Sequence, residues 1–485
     1  MTAQRLAVDA LMDLYQARDF NDHGLATNVK VLGDLCHHPL AHILGGALLA
    51  AEQVKQGHWE SLETMEQCVV QGMGAHQLPN GTRWHLGGLM HLQPVLDAIL
   101  AAARAVPAPA QFTQQPRIQR IALVISNLSV GAATTLVAKK FASALRTLIP
   151  EVYVVRTGHA STTMDEPFNS DSAALQVIDT NGHDVHSRAN RTVELLSEIQ
   201  PDAIIYYTWP SDLAAQIASC VRACPKQMFI NHTCDQKVGA FDVRICYTKN
   251  FQALADPDRC CYAPPVRVRE ELREEIEPAN LAKWNINTNQ IVLGNYSRLS
   301  KCVDDAFLEA MCTILRRNPN TVLVLPGLPD PASEFILRDR FGAYGVLPQV
   351  RFPGFLGDDY LPLLRATRVY CDTFVWTGGQ SVLDAMAMGV PVVTSRPDPS
   401  KTPLDPTGIS PVSLACTYVP DAAMVANAGS IEGYIEIVQR LLEDDLLYAL
   451  HVEKNIQRSK ELAWPQYPGI VMEILNNTPP SHWQV

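Results

Sequence analysis

Residues 371–395 read CDTFVWTGGQSVLDAMAMGVPVVTS, and how this stretch parses decides what the rest of the chain must be. Residues 373–377 leave a strand, Gly378 and Gly379 permit close backbone approach, and residues 380–388 have helical spacing that stops at Gly389. Pro391 then leads into a short apolar strand, Val392, Val393 and Thr394. A glycine pair opening a helix presents N–H groups at the positive end of the helix dipole, which suits a phosphate. Asp384, a turn inside that helix, would repel a phosphate but can accept hydrogen bonds from a ribose diol. Together these residues sketch a nucleoside diphosphate site. Taken alone they also describe an ordinary strand, turn and helix whose glycines only serve packing.

Working outward, strands alternate with helices on both sides of this stretch. Residues 120–126, 151–156, 175–179, 201–207 and 227–230 are apolar strand runs, with helical patterns at 134–148, 191–199 and 212–223. From about residue 266 the alternation restarts after a charged helix expected at 269–275. Strands at 291–294, 321–325, 350–352 and 369–371 follow, with helices at 304–317, 334–344 and 358–365 between them. This is the pattern of an α/β chain with two parallel sheets, helices on both faces, and ligands beyond the carboxyl ends of the strands. Residues 295–301, NYSRLSK, lie past one strand end and before a helix, which sends Arg298 and Lys301 toward the same place as the glycine turn. There they could neutralise a departing diphosphate. Cations at a helix start oppose its dipole, which argues against a passive loop.

The first 105 or so residues have helical periodicity and suggest four to six helices in a bundle or repeat-like array. His38 and His42 are four apart, as metal ligands would be, but no cysteine or carboxylate nearby completes a site, so they read as packing residues. Residues 106–116, VPAPAQFTQQP, are a linker. The expected domains are an all-α region at 1–110, a Rossmann-like domain at 117–265, a second at 266–465, and a C-terminal helix and tail at 466–485. Amphipathic helices are expected at 431–443, 446–462 and 468–475.

At 485 residues the chain can bury the cores of two or three domains. Its 50 acidic and 39 basic residues give a net charge of −11, which argues against a general nucleic-acid or anionic-membrane surface. No apolar run is long enough to span a membrane, and the first 20 residues read as a helix, not a signal peptide. The 12 cysteines are scattered without a CxxC pair, which favours a reducing, cytoplasmic setting over a disulfide or zinc framework.

Residues 293–325 and 341–394, together with PDAIIYYTWPSD at 201–212 and the segment 224–248, resemble the catalytic region of O-GlcNAc transferase and its bacterial relatives, including the HMW1C-like enzymes of glycosyltransferase family 41. The similarity covers most of residues 118–400 in order; its individual motifs are degenerate, and their order and spacing are fairly specific. It implies a GT-B fold, two Rossmann-like domains facing a cleft, and inverting transfer from a UDP-sugar to a protein side chain without a required metal. Carried over by position, Lys301 matches a lysine that contacts the donor diphosphate, and Arg298 takes a neighbouring polar position. Gly379, Gln380 and Ser381 match a phosphate-binding turn that is usually His-Thr-Thr, so only the Ser381 hydroxyl is kept. Asp384 matches the ribose-binding aspartate, Phe355 a residue whose backbone reads the uracil edge, and Tyr360 could pack on base or ribose.

The chain departs from the family at Gly131, where a histidine is usual. Candidates for the general base are then His232 or Asp235 in NHTCDQ, or His159, with a structural role in orienting the loop as the alternative for His232. Retaining GT-B enzymes carry an acid where this chain has Trp376, a residue that suits either core packing or stacking on a sugar or base. The expected function is transfer of Glc or GlcNAc from a UDP-sugar to a protein or peptide, with a glycan or small-molecule acceptor as one alternative and a non-catalytic nucleotide-sugar-binding subunit as another. A homo-oligomer is compatible with the sequence and not required by it.

Overall fold

The computed structural model describes residues 39–71, 76–77, 83–84, 92–107, 109, 112, 117–126, 133–158, 176–180, 184–209, 211–231, 238–246, 260–262, 267–374, 377–396, 414–463 and 467–477. The chain divides into two compact units. One comprises Met1–Pro264, Pro403–Ile409 and Tyr467–Val485, and the other Pro265–Thr402 and Ser410–Gln466.

In the first unit a short antiparallel pair, β1 (His76–Gln77) with β2 (Arg83–Trp84), precedes a parallel sheet. Its strands are β3 (Arg120–Ile125), β4 (Glu151–Arg156), β5 (Gln176–Asp179), β6 (Ala203–Tyr207), β7 (Lys226–Asn231), β8 (Val243–Cys246) and β9 (Cys260–Tyr262). Their spatial order is β5-β4-β3-β6-β7-β8-β9, with every pairing parallel. Every residue of β6 is buried, as are all but the first of β3, because helices cover both faces and no solvent side remains to be polar.

Helices Pro39–Lys55, Ser61–Gln71 and Gln93–Ala105 form the N-terminal region. They do not keep a core of their own. Ala47, Val54, Leu62, Val95 and Ile99 pack in one cluster with Val185, Ala189, Leu213 and Ile217, which belong to helices Val185–Ile199 and Leu213–Cys220 of the sheet layer. The C-terminal helix Tyr467–Asn477 also joins this unit: Tyr467 packs on Phe141 of helix Ala133–Leu148, and Lys226 Nζ caps the carbonyls of Leu475 and Asn476 at 2.9 and 3.1 Å.

The second unit holds β10 (Ile291–Gly294), β11 (Thr321–Val324), β12 (Val350–Arg351), β13 (Val369–Cys371), β14 (Val392–Ser395) and β15 (Val425–Ala426). Their order is β12-β11-β10-β13-β14-β15, again all parallel. Aspartate and serine caps set the helix starts. Asp304 opens Asp305–Arg317, Asp330 opens Pro331–Ala343, Ser430 opens Ile431–Glu443 and Asp444 opens Asp445–Glu461.

Three differences from the sequence reading have physical causes. The helix expected from residue 191 begins at Val185, because the Asp184 side chain accepts the Ser187 N–H at 2.9 Å. Strands β8, β9 and β15, two to four residues long, lie at or next to a sheet edge, where little buried apolar run is needed to mark them. The charged helix expected at 269–275 is only a 3-10 turn at Arg273–Glu275. The residues before it hydrogen-bond outward instead: Arg267 N–H to Leu462 O at 2.7 Å and Val268 N–H to the Gln380 side chain at 3.1 Å. Among the described residues no helix is long and apolar enough to cross a membrane.

Candidate functional site

In the second sheet the strand order reverses between β10 and β13. The crevice beyond the carboxyl ends at such a reversal is where open parallel sheets bind ligands. The chain leaving β10 is 295–301 and the chain leaving β13 is 372–381, so topology brings together the two segments singled out from sequence. Asn295, fully buried, locks the two strand ends: its Nδ2 donates to Cys371 O at 2.8 Å while its Oδ1 accepts the Ser297 N–H at 3.0 Å.

Arg298 is the N-cap of a short helix, Leu299–Cys302, and its side chain is exposed with no acidic partner among the described residues. Lys301, on that helix, donates to Thr377 O at 3.2 Å. Burial pushes its amine down to about 8, against the pull of Asp372 and with the repulsion of Arg298. It is therefore a cation at neutral pH, carried at the base of the glycine turn.

Asp372, which sequence reading missed, builds that turn. Fully buried at the end of β13, it accepts the Gly378 N–H at 2.8 Å and the Thr394 hydroxyl at 2.9 Å. Burial raises it to about 6 in spite of these donors and of Lys301. A Cβ on Gly378 would stand 2.7 Å from Val382 and 2.9 Å from the Tyr370 hydroxyl, so only glycine fits; one on Gly379 would meet nothing within 4 Å. Gly379 is the N-cap of helix Gln380–Ala387 and offers no side-chain cap, so the positive end of the helix dipole opens on the turn. The Ser381 hydroxyl is already paired with Tyr370 OH at 2.9 Å, so it steadies the turn from inside.

Asp384 is 3% exposed. Its Oδ2 accepts the Tyr360 hydroxyl at 3.0 Å and lies 3.8 Å from Arg269 Nε, while its Oδ1 is buried without a hydrogen-bond partner. Burial raises its carboxyl to about 6, opposed first by Arg269 and then by Tyr360. The Tyr360 ring is therefore committed to the protein: it stands edge-on to Tyr296 and beneath the Arg269 guanidinium. Phe355 is 54% exposed, just after Gly354 in the loop that follows β12. The candidates His232, Asp235, His159, Trp376, Gly131 and His38 lie outside the described residues, as does the side chain of His42.

In the first sheet the order reverses between β3 and β6, and there the Trp209 N–H donates to Ser126 Oγ at 2.9 Å. Arg188 and Glu66 form a buried ion pair at 2.6 Å, and Arg188 also donates to Thr157 O at 3.2 Å and Gly158 O at 2.7 Å just past β4. Glu66 Oε1 accepts the Leu213 N–H at 3.2 Å, and Asp212 caps that helix while pairing with the Thr157 hydroxyl. Burial pushes Glu66 up to about 7 although Arg188 opposes it.

Residues 290–444 match the family model described as Glycosyl transferases group 1. No curated protein matches the chain by sequence. Among solved structures, WaaG, a glycosyltransferase involved in lipopolysaccharide biosynthesis, aligns over 73% of this chain and 100% of its own at 16% identity and a TM-score of 0.52. Anabaena HepE, in complex with UDP and glucose, aligns over 74% of this chain and 99% of its own at 15% identity and 0.56. A mutant O-GlcNAc transferase from Thermobaculum terrenum aligns over 98% of both chains at 17% identity and 0.54. The chain thus has the GT-B fold of glycosyltransferases, and the segment that holds Arg298, Lys301, the glycine turn and Asp384 matches the group 1 family of those enzymes.

Proposed function

We propose that the chain moves a sugar, Glc or GlcNAc, from a UDP-sugar to a protein or peptide side chain, with inversion and without a required metal. The observation that carries the donor half is the convergence at one sheet's reversal point of the Gly378–Gly379 turn, Lys301, Arg298 and the half-satisfied Asp384. Breaking the bond between sugar and diphosphate leaves negative charge on the departing oxygen, and catalysis consists largely of preorganised charge placed to meet it. Lys301 and the helix N-terminus would meet the diphosphate, with Arg298 beside them. These cations supply the charge that a divalent ion supplies elsewhere, which supports the metal-free reading. Asp384 would accept from the ribose hydroxyls, and Phe355 would lie at the base. HepE, which binds UDP and glucose, supports UDP as the nucleotide.

A protein acceptor is supported by the O-GlcNAc transferase likeness, which runs over 98% of the chain where WaaG covers 73%. His232 or Asp235 would take the acceptor's proton. A second reading, transfer to a glycan, is favoured by WaaG, which is involved in lipopolysaccharide biosynthesis. Both are tested by measuring UDP release from a panel of UDP-sugars with a protein lysate, with a deproteinised glycan fraction, and with neither. Release stimulated by the lysate, with sugar appearing on protein, is the expected result; stimulation by the glycan fraction alone selects the second reading. Donor binding without turnover on either fraction would overturn both and leave a nucleotide-sugar-binding subunit.

A further inference from the structure

The residues entering the second unit run as a strap along one face of helix Gln380–Ala387. Val268 N–H donates to the Gln380 side chain at 3.1 Å, Arg269 reaches Asp384, and Arg273 Nη1 donates to Met388 O at 2.5 Å. Gln380, Asp384 and Met388 are four apart, so the strap follows a single stripe of the helix that opens the glycine turn. Arg269 is held from two sides: its guanidinium lies 4.8 Å from the centre of the Tyr360 ring, and its Nε faces the carboxylate oxygen that Tyr360 also engages.

We propose that Arg269 is a positioning residue of the nucleotide site: with Tyr360 it fixes Asp384 Oδ2, so that Oδ1 is kept as the acceptor for the ribose hydroxyls of the donor. The inference rests on the donor-site reading above. A buried carboxylate oxygen without a donor is costly to fold around, and side chains with such a vacancy ordinarily turn to fill it. Here Oδ2 is engaged by a hydroxyl and a guanidinium, so turning the carboxylate would sacrifice both. The charges facing Asp384 are Arg269, Arg267 and Glu271 of the strap, with the Tyr360 hydroxyl from the opposite side. Burial holds the carboxyl near 6 and Arg269 is the largest influence in the other direction, so losing that cation raises it further.

The test titrates the full chain with UDP and with 2′,3′-dideoxy-UDP by calorimetry between pH 5 and 8.5. Wild type is expected to prefer UDP by roughly tenfold at neutral pH, the worth of hydrogen bonds to a charged acceptor. Arg269→Gln is expected to reduce that preference to about twofold and to move the acid limb of UDP binding upward by about half a pH unit or more. Arg269→Lys keeps the charge and loses the planar group over Tyr360, so it should leave the acid limb in place and weaken the preference. The β-phosphate of UDP and Asp372 titrate in the same window, but both are common to wild type and variants, so the difference reports on Arg269. Wild type that binds neither nucleotide removes the donor site and this inference with it. Wild type that prefers UDP, with the preference and the acid limb unchanged in Arg269→Gln, overturns the inference and leaves the donor site standing. If the glutamine variant does not fold, an undiminished preference in Arg269→Lys has the same force.

Discussion

Just past β4 in the first unit, Arg188 spends its donors on Thr157 O, Gly158 O and the Glu66 carboxylate. Beyond β10 in the second unit, Lys301 donates to one carbonyl and Arg298 has no acidic partner among the described residues. The two sheets share parallel strands and a reversal of order, yet among the described residues the end of β4 carries a buried ion-pair network while the end of β10 keeps cations in reserve. A cation whose donors are all paired inside the protein organises structure. One with spare donors beside an uncapped helix start is available to an anion. The same contrast separates the carboxylates: both oxygens of Glu66 are engaged, whereas Asp384 keeps one without a partner.

The contrast is most exposed to a break at Arg188. Replacing it by Met removes one member of a buried pair and strips two carbonyls of their donor, an expected loss of about 3–5 kcal/mol in urea unfolding. The double variant Glu66→Leu/Arg188→Met should recover much of that loss. A single variant within about 1 kcal/mol of wild type would mean the network does not hold the strand ends together. Lys301→Ala should leave stability nearly unchanged but cut UDP release by about 100-fold or more, the worth of one preorganised charge at a developing anion. Undiminished turnover would erase the distinction between reserved and structural cations.

The pH dependence of UDP binding sharpens the comparison further. Lys301, held near 8, must stay protonated to attract the diphosphate, so affinity is expected to fall as pH rises through about 8. Asp384, held near 6, must be ionised to accept two hydroxyls, so affinity should also fall as pH drops through about 6. Lys301→Arg should abolish the basic limb, and an unchanged limb would assign it to another group. The smallest effect belongs to Tyr360→Phe. Losing one hydrogen bond to Asp384 should weaken UDP binding about three- to tenfold, read by calorimetry, with the fold intact.

Much of this was legible in the sequence because parallel strands buried on both faces are written as unbroken apolar runs; residues 120–126 and 201–207 needed no partner to be recognised. The glycine turn, Lys301 and Asp384 were also readable, since each has a local signature beside a strand end. Asp372 was not, because a lone aspartate after a strand looks like any turn residue until Gly378 and Thr394 are seen to donate to it. Arg269 lay inside RVREELREE, whose charge and propensity favour a helix. Its actual partners, Tyr360 and Asp384, are about a hundred residues away, and tertiary contacts overrode the local preference.

One backbone contact has a topological meaning. Arg267 N–H donates to Leu462 O at 2.7 Å, and Arg267 forms a parallel bridge with Ala463. The entry and the exit of the second unit are thus stitched side by side, and the helix that follows, Tyr467–Asn477, returns to the first unit. Apart from Pro403–Ile409, which counts with the first unit, the second unit therefore begins and ends at one seam.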